Sequence, residues 1–291
     1  MCRLFGFRSA VPAAVHTALV TERNSLLIQS REHKDGWGIA SYGQECSPLV
    51  AHGVGPAHSD PDFERVSSQV SARTVVAHIR LASVGAVEIR NSHPFHFGRW
   101  SFVHNGTLRE FAKHKAAVEA LIHPELRVNI KGTTDSERCF YLFLSRLAER
   151  GPLDGSVPAE SMARALAETM TLVSTMTDVP GSREPKERSA MNFLVTDGEA
   201  MVATRRNRTL FISSGIGGCP EALRAPNTDV PLQQFLVASE SLCGGPHWVP
   251  VDEEDVVGVD ARLVFRRWKV QTLAEGVLNP RACEPTQSSV A

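Results

Sequence analysis

Short β-rich runs bracket a helical middle, and that order is the strongest constraint on what this chain can fold into. The runs are Cys2 to Phe7, Gly36 to Tyr42, Arg73 to Leu81 and Trp100 to His104, then Ala190 to Thr196, Ala200 to Arg205, Thr209 to Ser213, Phe235 to Ser239 and Asp255 to Val259. They are rich in β-branched and aromatic residues. Apolar residues at three and four spacings predict helices over Ala13 to Gln29, Leu108 to Ile122, Ser136 to Arg150 and Ala159 to Met176. Strands, helices and then strands again imply an α+β fold of two packed sheets flanked by helices, not an alternating parallel sheet. With 291 residues, 42% of them hydrophobic and 22% charged, such a chain can bury a sizeable core. No repeat or linker divides it, so residues 1–275 read as one domain and 276–291 as a flexible tail. Thr177 to Arg188 and Gly215 to Pro231 read as exposed loops.

Charge and cysteine usage exclude several function classes. Lys and Arg total 31 against 32 Asp and Glu, a net charge of -1, so no general field attracts a phosphate backbone and nucleic acid is not an expected partner. No apolar run is long enough for a bilayer and the N-terminus lacks a signal-peptide pattern, so a cytoplasmic protein is expected. Cys2, Cys46, Cys139, Cys219, Cys243 and Cys283 form no CxxC pair, which argues against a metal knot or redox dithiol and for free thiols.

The chain opens Met1-Cys2. An initiator methionine is removed when residue two is small, which leaves a thiol beside its own free α-amine. That amine has a pKa of about 7.7 to 8.0, so it can take the thiol proton and later hand it to a leaving amine. By itself Cys2 reads more simply as the start of an edge strand. Asn105-Gly106 follows a β-rich run and precedes the helical stretch near Leu108; the pair is either a simple turn or a carboxamide and a glycine N–H aimed at one oxyanion. Arg80 ends an apolar strand and can clamp a carboxylate bidentately, or stand as a surface cation. Asp135, in Thr133-Thr134-Asp135-Ser136-Glu137, can be a helix start or a partner for an ammonium. Together Arg80 and Asp135 are the minimal pair that reads the α-carboxylate and α-ammonium of a glutamyl group.

The pieces Met1-Cys2-Arg3-Leu4-Phe5-Gly6, His33-Lys34-Asp35-Gly36-Trp37-Gly38, Ala77-His78-Ile79-Arg80, His93-Pro94-Phe95, His104-Asn105-Gly106 and Thr134-Asp135-Ser136-Glu137 occur in one order. With weaker similarity through Val237-Ala238-Ser239-Glu240, the chain resembles class II glutamine amidotransferase domains, in particular stand-alone proteins of the YafJ type. The resemblance implies a four-layer αββα sandwich of the N-terminal nucleophile hydrolase type, with Cys2 at the mouth between the sheets. It implies Cys2 as nucleophile and base, Asn105 and Gly106 as oxyanion hole, Arg80 for the substrate α-carboxylate and Asp135 for its α-amine. Ser83 stands where relatives often carry a Thr near that carboxylate. His93 is read as shaping the pocket, Trp37 as a pocket wall and Asp35 as architecture.

Two departures from the amidotransferase pattern matter. Arg80 is followed by Leu81, Ala82, Ser83 and Val84, without the Trp and His of ammonia-transferring enzymes, and no large synthase part follows. The expectation is therefore hydrolysis of a small γ-glutamyl amide through a Cys2 thioester, with no metal or organic cofactor required. The alternative is a glutamyl-binding or amidotransferase subunit active only with a separate partner protein; a homo-oligomer stays open. A cysteine peptidase built on Cys139 is the remaining rival.

Overall fold

The computed structural model describes residues 2–43, 47–215, 218–224 and 229–277, so Cys46, Cys283 and the expected tail beyond Val277 lie outside the described residues. The strands are β1 (Arg3–Ala14), β2 (Trp37–Tyr42), β3 (Leu49–Gly53), β4 (Ser71–Ile79), β5 (Phe95–Phe97), β6 (Trp100–Thr107), β7 (Ala190–Thr196), β8 (Met201–Thr204), β9 (Phe211–Ser213), β10 (Val230–Pro231), β11 (Gln234–Ala238), β12 (Val249–Pro250), β13 (Asp255–Val259) and β14 (Val264–Lys269). The helices are α1 (Leu26–Gln29), α2 (Pro61–Gln69), α3 (Phe111–Ala120), α4 (Pro124–Arg127), α5 (Asp135–Ala148), α6 (Ala159–Thr177), α7 (Pro220–Arg224) and α8 (Val270–Leu273).

Two antiparallel sheets form, ordered β12-β9-β11-β1-β4-β2-β3 and β10-β14-β13-β8-β7-β6-β5. Side chains alternate faces along each strand, and the alternation sorts the core into three slabs. Leu4, Val76, Val103, Leu194, Met201, Phe235 and Val237 fill the space between the sheets. Phe5, Phe7, Trp37, Ile39, Val75, Ala77 and Ile79 point the other way, against Leu26 of α1 and Phe63 of α2. Phe102, Phe193 and Val195 leave the second sheet on its far side and pack on α5 and α6. The result is the expected four-layer αββα sandwich. Among the described residues, no helix is long and apolar enough to cross a membrane.

Local departures have local causes. The helix expected over Ala13 to Gln29 is instead the end of β1, one π turn at Thr17–Thr21 and the short α1. Pairing of Ala13 and Ala14 with Ala72 and Ser71 extends β1, and Ser25 starts a new helix by accepting from the Ile28 N–H. Helix α2 falls in a stretch too polar for its periodicity to stand out, with Phe63 and Val66 as its inward-facing residues. β14 pairs with β13 along its length but reads as a charged segment, because Arg266, Arg267 and Lys269 interrupt its apolar residues.

Candidate active site

β1 runs antiparallel to both β4 and β11, so its first residues lie beside the last residues of those two strands. Alternation then fixes which side chains meet. Leu4 faces the second sheet, and so does Cys2; Val76 and His78 do likewise, and Arg80 continues their series; Phe235 and Val237 are followed by Ser239; Val103 by Asn105. Cys2, Arg80, Ser239 and Asn105 therefore converge at one end of the space between the sheets.

Cys2 is buried, with 9% of its surface exposed. Its Sγ donates to the Leu81 carbonyl and accepts from the Leu81 N–H, both at 3.4 Å. Burial pushes the thiol above its ordinary value, opposed by the Leu81 hydrogen bond and the nearby Arg80 charge. A thiol held protonated in this way needs a base supplied beside it.

Asn105 and Gly106 do not form a turn. Both lie within β6, opposite Asn192 and Met191 of β7, and the helix begins only at Phe111. The strand continues because β7 supplies partners through Ala190, opposite Thr107. A side chain at Gly106 would collide with the Ala190 carbonyl and the His104 ring, so this backbone position must be glycine. The Asn105 carboxamide is 2% exposed; its Nδ2 donates to Ser239 Oγ at 2.9 Å, while its Oδ1 is buried without a partner.

Arg80 is almost fully buried and does not point outward as a free fork. Nη1 donates to the Ala86 carbonyl at 2.9 Å, and Nη2 to Val84 at 3.0 Å and Gly85 at 3.2 Å. The Nε–H and one Nη1–H remain, and these lie on different edges of the guanidinium, so a bidentate grip is not available in this arrangement. The loop itself is tied down by Asp35, whose Oδ2 accepts from the Ala82 N–H at 2.8 Å, as expected of an architectural residue. Ser83 Oγ lies 2.8 Å from Thr107 Oγ1, a bridge from this loop to the end of β6.

Asp135 opens α5, capped by Thr134, whose hydroxyl accepts from the Glu137 N–H. Its Oδ2 accepts from the Leu108 N–H at 2.7 Å and its Oδ1 from the Ser136 N–H at 2.9 Å. The carboxylate thus braces the segment that follows β6. Oδ1 also accepts from the Ser136 hydroxyl at 3.4 Å, so Oδ2 is the oxygen that keeps a lone pair for a ligand.

Two residues expected at the pocket lie beneath it. Trp37 does not wall the cleft: it faces α2, with its ring edge-on to Phe63 at 5.3 Å and its Nε1 donating to Asp60 Oδ2 at 2.7 Å. The reason is parity, since Trp37 and Ile39 share the outer face of β2. Gly38, on the inner face, leaves room for the His93-Pro94 backbone. The His93 ring lies tilted against His78 at 4.1 Å and meets Phe95 edge-on at 4.6 Å, and neither of its ring nitrogens has a partner among the described residues. Burial keeps this floor neutral: His78 is pushed down to about 3, His33 to about 4, and His93 and His104 are lowered too. Cys139 is fully buried in α5, away from solvent. Among the described residues, no group of three His, Cys, Asp or Glu side chains is placed to hold a metal ion.

Ser239 has no role in the sequence reading, although it closes the Phe235, Val237, Ser239 series. In the structure its Oγ accepts from both the Leu4 N–H at 3.0 Å and Asn105 Nδ2, and its own N–H donates to the Leu4 carbonyl at 3.1 Å. The period-two pattern is the signal that could have placed it in the cleft.

A family model described as glutamine amidotransferases class-II matches residues 1–215. The chain is 30% identical over 212 residues to the putative glutamine amidotransferase YafJ of Escherichia coli, covering 70% of this chain and 72% of that protein. It is 25% identical over 275 residues to the γ-glutamyl-hercynylcysteine sulfoxide hydrolase of Mycolicibacterium smegmatis, covering 91% and 98% of the two. A solved glutamine aminotransferase class-II domain protein of Silicibacter pomeroyi shares the fold, with a TM-score of 0.61 at 20% identity over 92% of this chain and 99% of that one. The motifs, the αββα layers and the family match agree: this chain belongs to the class II glutamine amidotransferases.

Proposed function

We propose that the protein hydrolyses a γ-glutamyl amide through a thioester on Cys2. The observation that supports this reading most is the convergence of Cys2, Asn105 and Arg80 at one end of the intersheet space, with Asp135 braced beside them. Similarity over nearly the whole chain to a γ-glutamyl-hercynylcysteine sulfoxide hydrolase favours hydrolysis over ammonia transfer.

With Met1 removed, the Cys2 α-amine takes the thiol proton as sulfur attacks the γ-carbonyl carbon. Asn105 Nδ2 and the Gly106 N–H stabilise the oxyanion. The C–N bond breaks as the α-amine returns its proton to the leaving amine. Water then attacks the thioester, with the amine again as base; the C–S bond breaks, the proton goes back to sulfur and glutamate leaves. Asp135 holds the substrate ammonium. Arg80 attracts the α-carboxylate through its charge and its remaining N–H groups, and Ser83 lies on the loop beside it.

The test is turnover of a panel of γ-glutamyl compounds together with trapping by a glutamine-like diazo-ketone. The expected adduct is on a peptide beginning at Cys2. Alkylation elsewhere, or an active protein that retains Met1, would sink the mechanism.

A further inference from the structure

We infer that Ser239 is the positioning residue that aims Asn105 at the oxyanion, an inference that rests on the hydrolase reading above. Ser239 lies beyond residues 1–215, the span matched by the family model. Its fully buried hydroxyl joins the start of β1, two residues after the nucleophile, to the oxyanion strand of the opposite sheet.

A hydroxyl has two acceptor sites and one donor hydrogen. Both acceptor sites of Ser239 Oγ are filled, by Leu4 N–H at 3.0 Å and Asn105 Nδ2 at 2.9 Å, and the described contacts give its hydrogen no acceptor. Asn105 Oδ1 is, conversely, a buried acceptor with no donor. A spare donor and a spare acceptor thus sit on two groups already in contact. The ends of a carboxamide are nearly isosteric, so a half-turn about χ2 exchanges them without displacing neighbours. After that turn Ser239 O–H donates to Asn105 Oδ1, Leu4 N–H keeps its acceptor, and Nδ2 carries both hydrogens away from Ser239 into the space Oδ1 had occupied. That is the arrangement in which Asn105 serves an oxyanion, and the Ser239 hydrogen selects it, because only the oxygen end of the carboxamide can accept it.

The experiment is a double-mutant cycle on γ-glutamyl hydrolysis with Ser239→Ala, Asn105→Ala and the double variant, alongside Ser239→Thr. Loss of an oxyanion donor costs on the order of 100- to 1000-fold in kcat; Ser239→Ala should lose roughly 10- to 100-fold of this with KM within about threefold. The double variant should be no slower than Asn105→Ala, and threonine, which keeps the hydroxyl, should retain most of kcat. Full kcat in Ser239→Ala, losses that multiply in the double variant, or a loss confined to KM each overturn the role. If alanine fails to fold because Leu4 N–H loses its acceptor, Ser239→Cys replaces it: sulfur still accepts but donates poorly, so kcat should fall, and full kcat overturns the role. A wild-type enzyme that turns over no γ-glutamyl compound sinks the function and this role with it; a wild type that turns over while the variants match it sinks Ser239 alone.

Discussion

The buried histidines predict a steep loss of stability on mild acidification, and His78 allows the size to be worked out. It is fully buried, with its Nε2 donating to the His104 carbonyl at 3.3 Å and its Nδ1 unpartnered. Burial pushes it down to about 3. Unfolded, a histidine titrates near about 6.5. The folded value is the lower one, so at pH 7 both states are neutral and His78 costs nothing. As pH falls below 6.5 the unfolded chain takes up a proton that the folded one refuses, and stability drains until about pH 3. From pH 6.5 to 5 that is about 1.5 pH units at about 1.4 kcal/mol each, or about 2 kcal/mol from this one side chain. The assay is urea unfolding followed by tryptophan fluorescence at pH 7 and pH 5, for wild type and His78→Gln, which keeps a nitrogen donor. With a urea slope of roughly 3 kcal/mol/M, the midpoint of wild type should fall by about 0.7 M more than that of the variant. Equal falls in the two proteins would refute the argument that a neutral, desolvated His78 is what the fold requires.

Trp37→Phe removes the indole bond to Asp60 from the outer core, so it should cost about 1 kcal/mol and lower Tm by roughly 2 to 4 °C, while KM for γ-glutamyl substrates stays unchanged; a raised KM would return Trp37 to the pocket. Asp135→Asn removes a charged partner for the substrate ammonium, worth about 1.5 to 3 kcal/mol, and should raise KM roughly 10- to 100-fold. The same variant should no longer distinguish a γ-glutamyl amide from its des-amino analogue, and steady-state kinetics on the two compounds checks both statements.

The site was legible in unequal parts. Cys2, Asn105 and Asp135 can be picked out only as a set: alone they read as a strand start, a turn and a helix start, and it is the ordered run of motifs around them that singles them out. The partners that restrain them could not, because they come from distant segments: Ser239 reaches Asn105 across 134 positions, and Leu81 reaches Cys2 across 79. Arg80 was recognised by its place at the end of a strand, yet its donors are turned onto carbonyls 84–86, a loop conformation that no local pattern encodes. Trp37 shows the opposite limit. Its neighbourhood in the chain is that of the site, but a one-residue difference in strand parity sends its side chain to the far face of the sheet.

From the chain alone come the α+β class, the helical span of α5 and α6, and the ordered motifs of the family, because hydrophobic period and residue chemistry are local properties. Tertiary structure alone decided that β6 runs on through Gly106 instead of turning there, that α2 covers Trp37, and that the serine just after β11 meets an asparagine from β6. Those outcomes depend on which strand finds which neighbour. Backbone hydrogen bonds and buried polar groups must be satisfied by whatever the fold brings near, and proximity across sheets is not written in any single segment.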